Sequence, residues 1–287
     1  MTSILQCPVC REFLFDTAGG YQCANKHMFD AARQGYVNFH LAHQKHSKEP
    51  GDSADMIESR RRFLGLGLYN RVSDGINHAA WGNLPGLDSS RMIRVLDAGC
   101  GEGFYLTRLK GFIEHSPAGH ASVEYYGVDI SKYAVRKATQ RDKTMNWFVA
   151  SIVGLPFSPS SIDVVLNIFA MADFAEFSRV LGEAGRLVIV SPGPRHLNGL
   201  REIIYPTARE HAPSAAREQA GGLFSPAATT RVNYQVELKS SREIMDLLAM
   251  TPYFWNIDLN TRSRVEALDR LALDVDVEIR VYTKQKK

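Results

Sequence analysis

Cysteine is nearly absent beyond the first 23 residues of this 287-residue chain: Cys7, Cys10 and Cys23 are clustered, and Cys100 stands alone. A fold stapled throughout by disulfides is therefore excluded. Long apolar runs are missing as well. None approaches the roughly 20 residues of a membrane span, and Met1 to Cys7 has neither the basic nor the apolar region of a signal peptide. The expectation is a cytoplasmic protein with no membrane partner. Net charge is also scarce, since 34 Lys and Arg against 31 Asp and Glu leave only +3. Such a balance permits nucleic-acid binding without requiring it, so any RNA-facing charge has to come from local clusters. No internal repeat is visible. What remains is a globular composition, 45% hydrophobic and 23% charged, in a chain long enough for an α/β domain and a smaller module.

The centre of the chain is Arg94-Val95-Leu96-Asp97-Ala98-Gly99-Cys100-Gly101-Glu102-Gly103-Phe104, an apolar run that ends in an acid and breaks into three alternate glycines. It reads as strand, tight loop and helix start, with a backbone that can approach a ligand closely. The spacing is not the Gly-x-Gly-x-x-Gly that admits a pyrophosphate, and Asp97 stands where its carboxylate could take an ammonium group. S-adenosylmethionine, with an amino acid and no phosphate, fits Gly99, Gly101 and Gly103 better than NAD; an ordinary glycine-rich turn is the plain alternative. Strands are expected at Ile93–Asp97, Val123–Val128, Trp147–Ala150, Asp163–Phe169 and Gly185–Ser191, with helices near 103–113, 131–140 and 173–181 between them. That is the rhythm of a doubly wound parallel sheet. Val232–Leu238 and Val275–Tyr282 would add an antiparallel edge pair, with a helix over 241–249. The expected fold class is thus α/β, a seven-stranded, Rossmann-like class I methyltransferase sheet with its cofactor at the carboxyl ends of the strands. Asp129, ending the second strand, could accept both ribose hydroxyls. Ser151 follows the third strand, where many methyltransferases place an acid for the adenine amino group.

The N-terminal pattern is Cys7-Pro8-Val9-Cys10, twelve residues, Cys23, three residues, His27. A short hairpin, Phe13 to Phe15 against Tyr21-Gln22, would bring the two pairs onto one zinc ion as a Cys₃His shell. With no open position the metal would be structural, and its binding would supply the folding free energy of a zinc-ribbon-like module. A disulfide is the alternative, which three cysteines in a cytoplasmic chain speak against. His40 to Ser53 reads as a basic loop able to order on a polyanion, with Lys45 and Lys48 as candidate phosphate contacts. His43 and His46 suggest a second metal site less readily than a solvated loop. Ser53 could cap a helix through Leu64, with Arg60, Arg61 and Arg62 on its polar side, either solvated or facing phosphate. Another amphipathic helix is expected from Leu68 to Trp81. The division is a zinc module over 1–38, a basic loop and helical linker over 39–88, and a transferase domain over 89–287.

The acceptor side is read partly by elimination. Asn167-Ile168-Phe169-Ala170 is not the Asn-Pro-Pro-Tyr pattern associated with exocyclic amines of bases. Methylation at C5 of a pyrimidine needs a cysteine nucleophile, and Cys100 is committed to the glycine loop. Direct attack on the sulfonium methyl by a nitrogen, oxygen or carbon acid remains.

Cys7, Cys10, Cys23 and His27, Gly35-Tyr36-Val37-Asn38, Asp52-Ser53, Leu96-Asp97-x-Gly99-Cys100-Gly101-Glu102-Gly103 and Pro192-Gly193-Pro194-Arg195-His196-Leu197 together resemble the bacterial 23S rRNA (guanine-N1)-methyltransferases of the RlmA type, over nearly the whole chain. The resemblance implies methyl transfer from S-adenosylmethionine to guanine N1 in a hairpin loop of domain II, near the peptide exit tunnel. It also implies cofactor contacts from Tyr69, Gly101, Glu102 and His196. Two branches of the family modify neighbouring guanines, and the sequence leans to the nucleotide 745 type over the 748 type. Guanine N1 has to lose its proton, so a base is wanted. Asp173 and His196 are weak candidates, with a helix cap and a cofactor or loop hydrogen bond as their plainer roles. The oligomeric state, a homodimer included, is left open. The rival readings are a methyltransferase of small molecules or proteins and a non-catalytic zinc-containing RNA-binding protein.

Overall fold

Three strands too short to bury anything alone begin the chain, and where they find their core decides how the molecule is built. The computed structural model describes residues 3–41, 50–82, 84, 91–116, 122–205 and 220–285. Strands β1 (Leu14–Thr17), β2 (Gly20–Cys23) and β3 (Met28–Asp30) form an antiparallel sheet with Leu14 opposite Cys23 and Gln22 opposite Met28. Leu5, Leu14 and Phe29 are buried in one cluster with Val37 and Phe148 of the larger sheet and with Phe39 and Phe157 beside it. Rings pass the contact on, Phe29 to Phe39 at 5.2 Å and Phe39 to Phe148 at 5.1 Å. Backbone bonds from Gln6 N–H to Pro156 C=O (3.0 Å) and from Ser158 N–H to Ile4 C=O (2.8 Å) set the orientation.

The remaining strands are β4 (Val37–Asn38), β5 (Ile93–Ala98), β6 (Val123–Asp129), β7 (Asn146–Val149), β8 (Ile162–Ile168), β9 (Leu181–Pro192), β10 (Phe224–Leu238) and β11 (Leu271–Lys284). They form one sheet in the order β10-β11-β9-β8-β5-β6-β7-β4. Strands β4 to β9 run parallel, and β11 and β10 continue antiparallel from β9, the edge pair expected. The sheet has eight strands instead of seven. The extra one, β4, is two residues long, too short for any alternation to announce it. It covers the edge of β7, with Phe39 and His40 N–H both donating to Val149 C=O.

Helices α1 (Ala54–Gly65), α2 (Asn70–Trp81), α3 (Phe104–Glu114), α4 (Lys132–Arg141) and α5 (Phe174–Val180), with a helix at Ser241–Ala249, cover the sheet. Ser53 caps α1 as expected, its Oγ accepting from Met56 N–H at 3.3 Å. Alternate residues of β5 serve opposite layers. Val95 packs with α2, α3 and Ser241–Ala249, whereas Leu96 packs with α5 and the N-terminal sheet. Strand order reverses between β5 and β8, which opens a crevice at their carboxyl ends. Among the described residues no helix is long and apolar enough to cross a membrane.

Candidate functional site

The structure brings Cys7, Cys10, Cys23 and His27 together on two similar knuckles. Arg11 N–H donates to Cys7 C=O (2.8 Å) and Lys26 N–H to Cys23 C=O (2.9 Å). Arg11 and Lys26 take positive φ, 64° and 63°, so that the chain doubles back over the cysteine. The four ligand atoms fall within 4.8 Å of one another. Cys10 Sγ lies 3.7 Å from Cys23 Sγ, and His27 Nδ1 lies 3.4 Å from Cys23 Sγ. A tetrahedron with metal–sulfur bonds of about 2.3 Å has edges of roughly 3.7 Å, so the set fits one zinc ion with no open position. The thiols are free, and the separation is too long for a disulfide. Hydrogen bonds involving Asn25 and the Glu12 backbone draw the Cys10 thiol down to about 6, whereas burial pushes the Cys7 thiol up to about 11.

The second site is a cleft of about 1110 Å³ at the carboxyl ends of β5, β6 and β8. Gly99 and Gly103 have φ of 90° and 84°, which a side chain rarely adopts. Space forbids one too. A Cβ at Gly99 would stand 2.5 Å from Ala170 Cβ, and one at Gly103 would stand 2.8 Å from the Trp147 ring. Between them Gly101 N–H donates to Asp129 Oδ2 (2.9 Å), while Asp129 Oδ1 accepts from Ser131 N–H (2.8 Å). Burial raises the Asp129 carboxyl above its ordinary range.

Asp97 is only 1% exposed, and neither of its carboxylate oxygens has a partner. Burial, then the nearby Asp129 charge, pushes it up to about 8. A buried, unpaired carboxylate of this kind fits an incoming cation, the ammonium end of S-adenosylmethionine. Glu102, also 1% exposed, is raised by burial against the pull of Arg141, which holds Oε2; its Oε1 has no partner.

Tyr69 and His196 meet across the cleft, Oη to Nε2 at 3.3 Å. His196 Nδ1 accepts from Asp276 N–H (3.3 Å), which assigns the proton of the neutral ring to Nε2 and makes Tyr69 Oη its acceptor. Asp276 is fully buried and is gripped by Arg231 at 2.7 and 2.8 Å and by Arg195 N–H at 2.9 Å. Ser151 lines the cleft, and its hydroxyl accepts from Val153 N–H at 3.2 Å. Asp173 is not among the lining residues; its Oδ1 caps α5 by accepting from Glu176 N–H at 2.9 Å.

The three arginines do not share one solvated face. Arg60 lines the cleft and pairs with Asp52 at 2.6 Å. Arg61 has a buried Nη1 without a partner. Arg62 grips Asp246 of the helix at Ser241–Ala249, at 2.9 and 2.5 Å. Lys45, Lys48, His43 and His46 lie outside the described residues. Sequence reasoning missed the aromatic wall of Phe169, Tyr253 and Trp255, which separate segments assemble. It also missed Asp276. The signal available there was Asp274-Val275-Asp276-Val277, two acids at alternate positions directly after the apolar Leu271-Ala272-Leu273.

Comparison with known proteins follows the same two sites. Residues 5–48 match the zinc-ribbon family described as RlmA, N-terminal, and residues 96–191 match the family described as Methyltransferase domain. The chain is similar to YxjB of Bacillus subtilis, named for 23S rRNA (guanine-N(1)-)-methyltransferase activity, with 32% identity over 98% of both chains. A protein of Micromonospora griseorubida named for the same activity is 30% identical, covering 92% of this chain and 91% of its own. The 23S rRNA (guanine(748)-N(1))-methyltransferase of Streptomyces fradiae is 29% identical, covering 91% and 89%.

Proposed function

Because the chain belongs to the family of 23S rRNA (guanine-N1)-methyltransferases, we propose that it transfers the methyl group of S-adenosylmethionine to N1 of a guanine in a hairpin loop of 23S rRNA. The observation that carries this reading is Asp97, a buried carboxylate without a partner, two residues before the glycine loop that lines the cleft. When bound, S-adenosylmethionine supplies a methyl group on a sulfonium centre, open to direct displacement. The residues of the chain hold and align. Asp97 would take the ammonium group, and Asp129 would take ribose hydroxyls on the lone pairs that Gly101 and Ser131 leave unused. Ser151 and Glu102 Oε1 are further polar contacts within reach of the same ligand. Tyr69 and His196 form the wall facing them. His196 would act as a positioning group and not as the base for the N1 proton, since Nδ1 already accepts a backbone hydrogen bond and Nε2 donates.

We assign residues 1–38 to the zinc module, 39–88 to the linker and 89–287 to the transferase, with Lys45 and Lys48 as phosphate contacts for the hairpin. An rRNA substrate implies a cytoplasmic protein.

The test is methyl transfer from labelled S-adenosylmethionine to 23S rRNA taken from cells that lack the activity. The expected result is one new reverse-transcription stop, because N1 methylation blocks base pairing, and steep loss of rate with salt. The position of the stop assigns the branch, the Streptomyces fradiae relative being named for nucleotide 748. Transfer to small acceptors alone would reject the proposal.

A further inference from the structure

The two sides of the cleft differ in chemistry. Toward β5 and β6 it presents Glu102 and Asp129; toward β8 and β9 it presents Phe169, Met171 and His196, with Trp255 at its border. Phe169 is 39% exposed, Trp255 65% and Met171 74%. Exposed apolar surface gathered in a concave site marks a place that a ligand covers.

Phe169 is also held there against its own preference. Its φ is +52°, a conformation that a bulky side chain takes only where the surroundings impose it. Two contacts impose it. Phe169 N–H donates to Val190 C=O at 3.0 Å, and the following Ala170 sits so close to Gly99 that no side chain could stand between them. The turn after β8 is thereby clamped onto the glycine loop, and the Phe169 ring is laid on that of His196, with centroids 5.7 Å apart and planes 18° from parallel. His196 is itself fixed at both nitrogens. The outcome is a rigid aromatic slab directly beside the loop expected to hold the methyl donor. The cleft, at about 1110 Å³, exceeds the roughly 300–1000 Å³ of an ordinary small-ligand pocket, leaving room for a second planar group beside the donor.

We propose that Phe169, backed by His196, is the stacking platform that receives the target guanine after it leaves the hairpin stack. This rests on the function proposed above. An unstacked base gives up its neighbours, and an aromatic face restores the lost contact at whatever point the protein fixes it. Here that point sets the base edge toward the glycine loop, so that N1 can lie in line with the methyl group. Trp255 is the second exposed ring available to the same base or to its neighbour.

The experiment compares Phe169→Leu, Phe169→Tyr and Trp255→Ala with wild type on a 23S rRNA hairpin, with kcat and KM measured separately and S-adenosylmethionine binding followed by calorimetry. Phe169→Leu keeps apolar bulk and removes the ring. It should cut kcat/KM for RNA by about tenfold to a hundredfold with donor affinity within twofold of wild type, and Phe169→Tyr should restore most of the rate. Trp255→Ala should raise KM for RNA with kcat little changed. A Leu variant as active as wild type, or one that loses donor binding to the same degree, overturns the proposal while the function stands. A wild-type chain inert on 23S rRNA sinks both.

Discussion

The zinc head and the donor cleft satisfy their polar groups in opposite ways. In the head every ligand is answered within the head: Cys7, Cys10, Cys23 and His27 lie at separations of a closed tetrahedron, and the knuckles are stitched by bonds three or four residues apart. At the glycine loop two acids are left wanting. Asp97 keeps two buried oxygens without partners, and Glu102 keeps one. A closed site puts its free energy into folding, whereas an open one withholds it until a ligand arrives. The difference teaches that metal removal should act on structure first, and that a change at Asp97 should act on binding first.

The largest effect is expected from the metal. Structural zinc in small modules supplies about 10–16 kcal/mol of apparent binding free energy, and this head has little else inside it. Stripping zinc, or Cys23→Ser, should take the metal from about one equivalent to none and expose the amides of Cys7, Leu14 and Cys23 to hydrogen exchange, while β5, β6 and β8 stay protected. Retention of the head would break the contrast, because docking of Phe29 on Phe39, and through it on Phe148, would then suffice without metal.

Asp97 comes next. Asp97→Ala should weaken S-adenosylmethionine binding at least about a hundredfold, as expected when one partner of a buried charge pair is removed. The same group predicts a pH effect on the free protein. Its carboxyl is raised from the ordinary range to about 8, so between pH 4 and 8 the folded chain holds a proton that the unfolded chain has released. Stability from this source is complete below about pH 4 and is lost as pH rises toward 8, by about 1.4 kcal/mol per unit. Denaturant titrations at pH 5 and pH 8 should show that loss in wild type, less of it in Asp97→Asn, and its reversal by added donor. A flat wild-type profile would mean that Asp97 already has a partner.

The contrast also explains what could be read from sequence. Closed, local sites are written in spacing: Cys-x-x-Cys, twelve residues, Cys-x-x-x-His is nearly a drawing of the tetrahedron, and alternate glycines after Leu96-Asp97 mark a strand end and a loop. The parallel core was legible because β5, β6 and β8 are buried on both faces along most of their length and therefore mostly apolar, with their charges toward the ends. Strand β4 was not, since two residues carry no period. Nor was the aromatic wall, where Phe169, Tyr253 and Trp255 converge from segments more than eighty residues apart. Arg60-Arg61-Arg62 was misleading for a related reason. A run of like charges suggests one solvated face, but successive helical residues point about 100° apart, so that Arg60 pairs with Asp52, Arg62 pairs with Asp246, and Arg61 buries an unpartnered Nη1.

The smallest effect separates those arginines, and it sharpens the division between binding and building. Arg62 is partly exposed, yet it grips Asp246, which is nearly buried, and so joins α1 to the helix at Ser241–Ala249. With its cation half-exposed, such a pair contributes about 1 kcal/mol once solvent screening is allowed for. Arg62→Ala should therefore lower stability by about 1 kcal/mol. It should also leave the salt dependence of RNA affinity unchanged, because a cation spent on Asp246 releases no counterions from phosphate. A phosphate contact would show otherwise: the slope of log affinity against log salt would fall by about 0.9 for the one charge removed. That result would return Arg62 to the RNA-facing surface and make α1 part of the grip on the hairpin as well as a wall of the donor cleft.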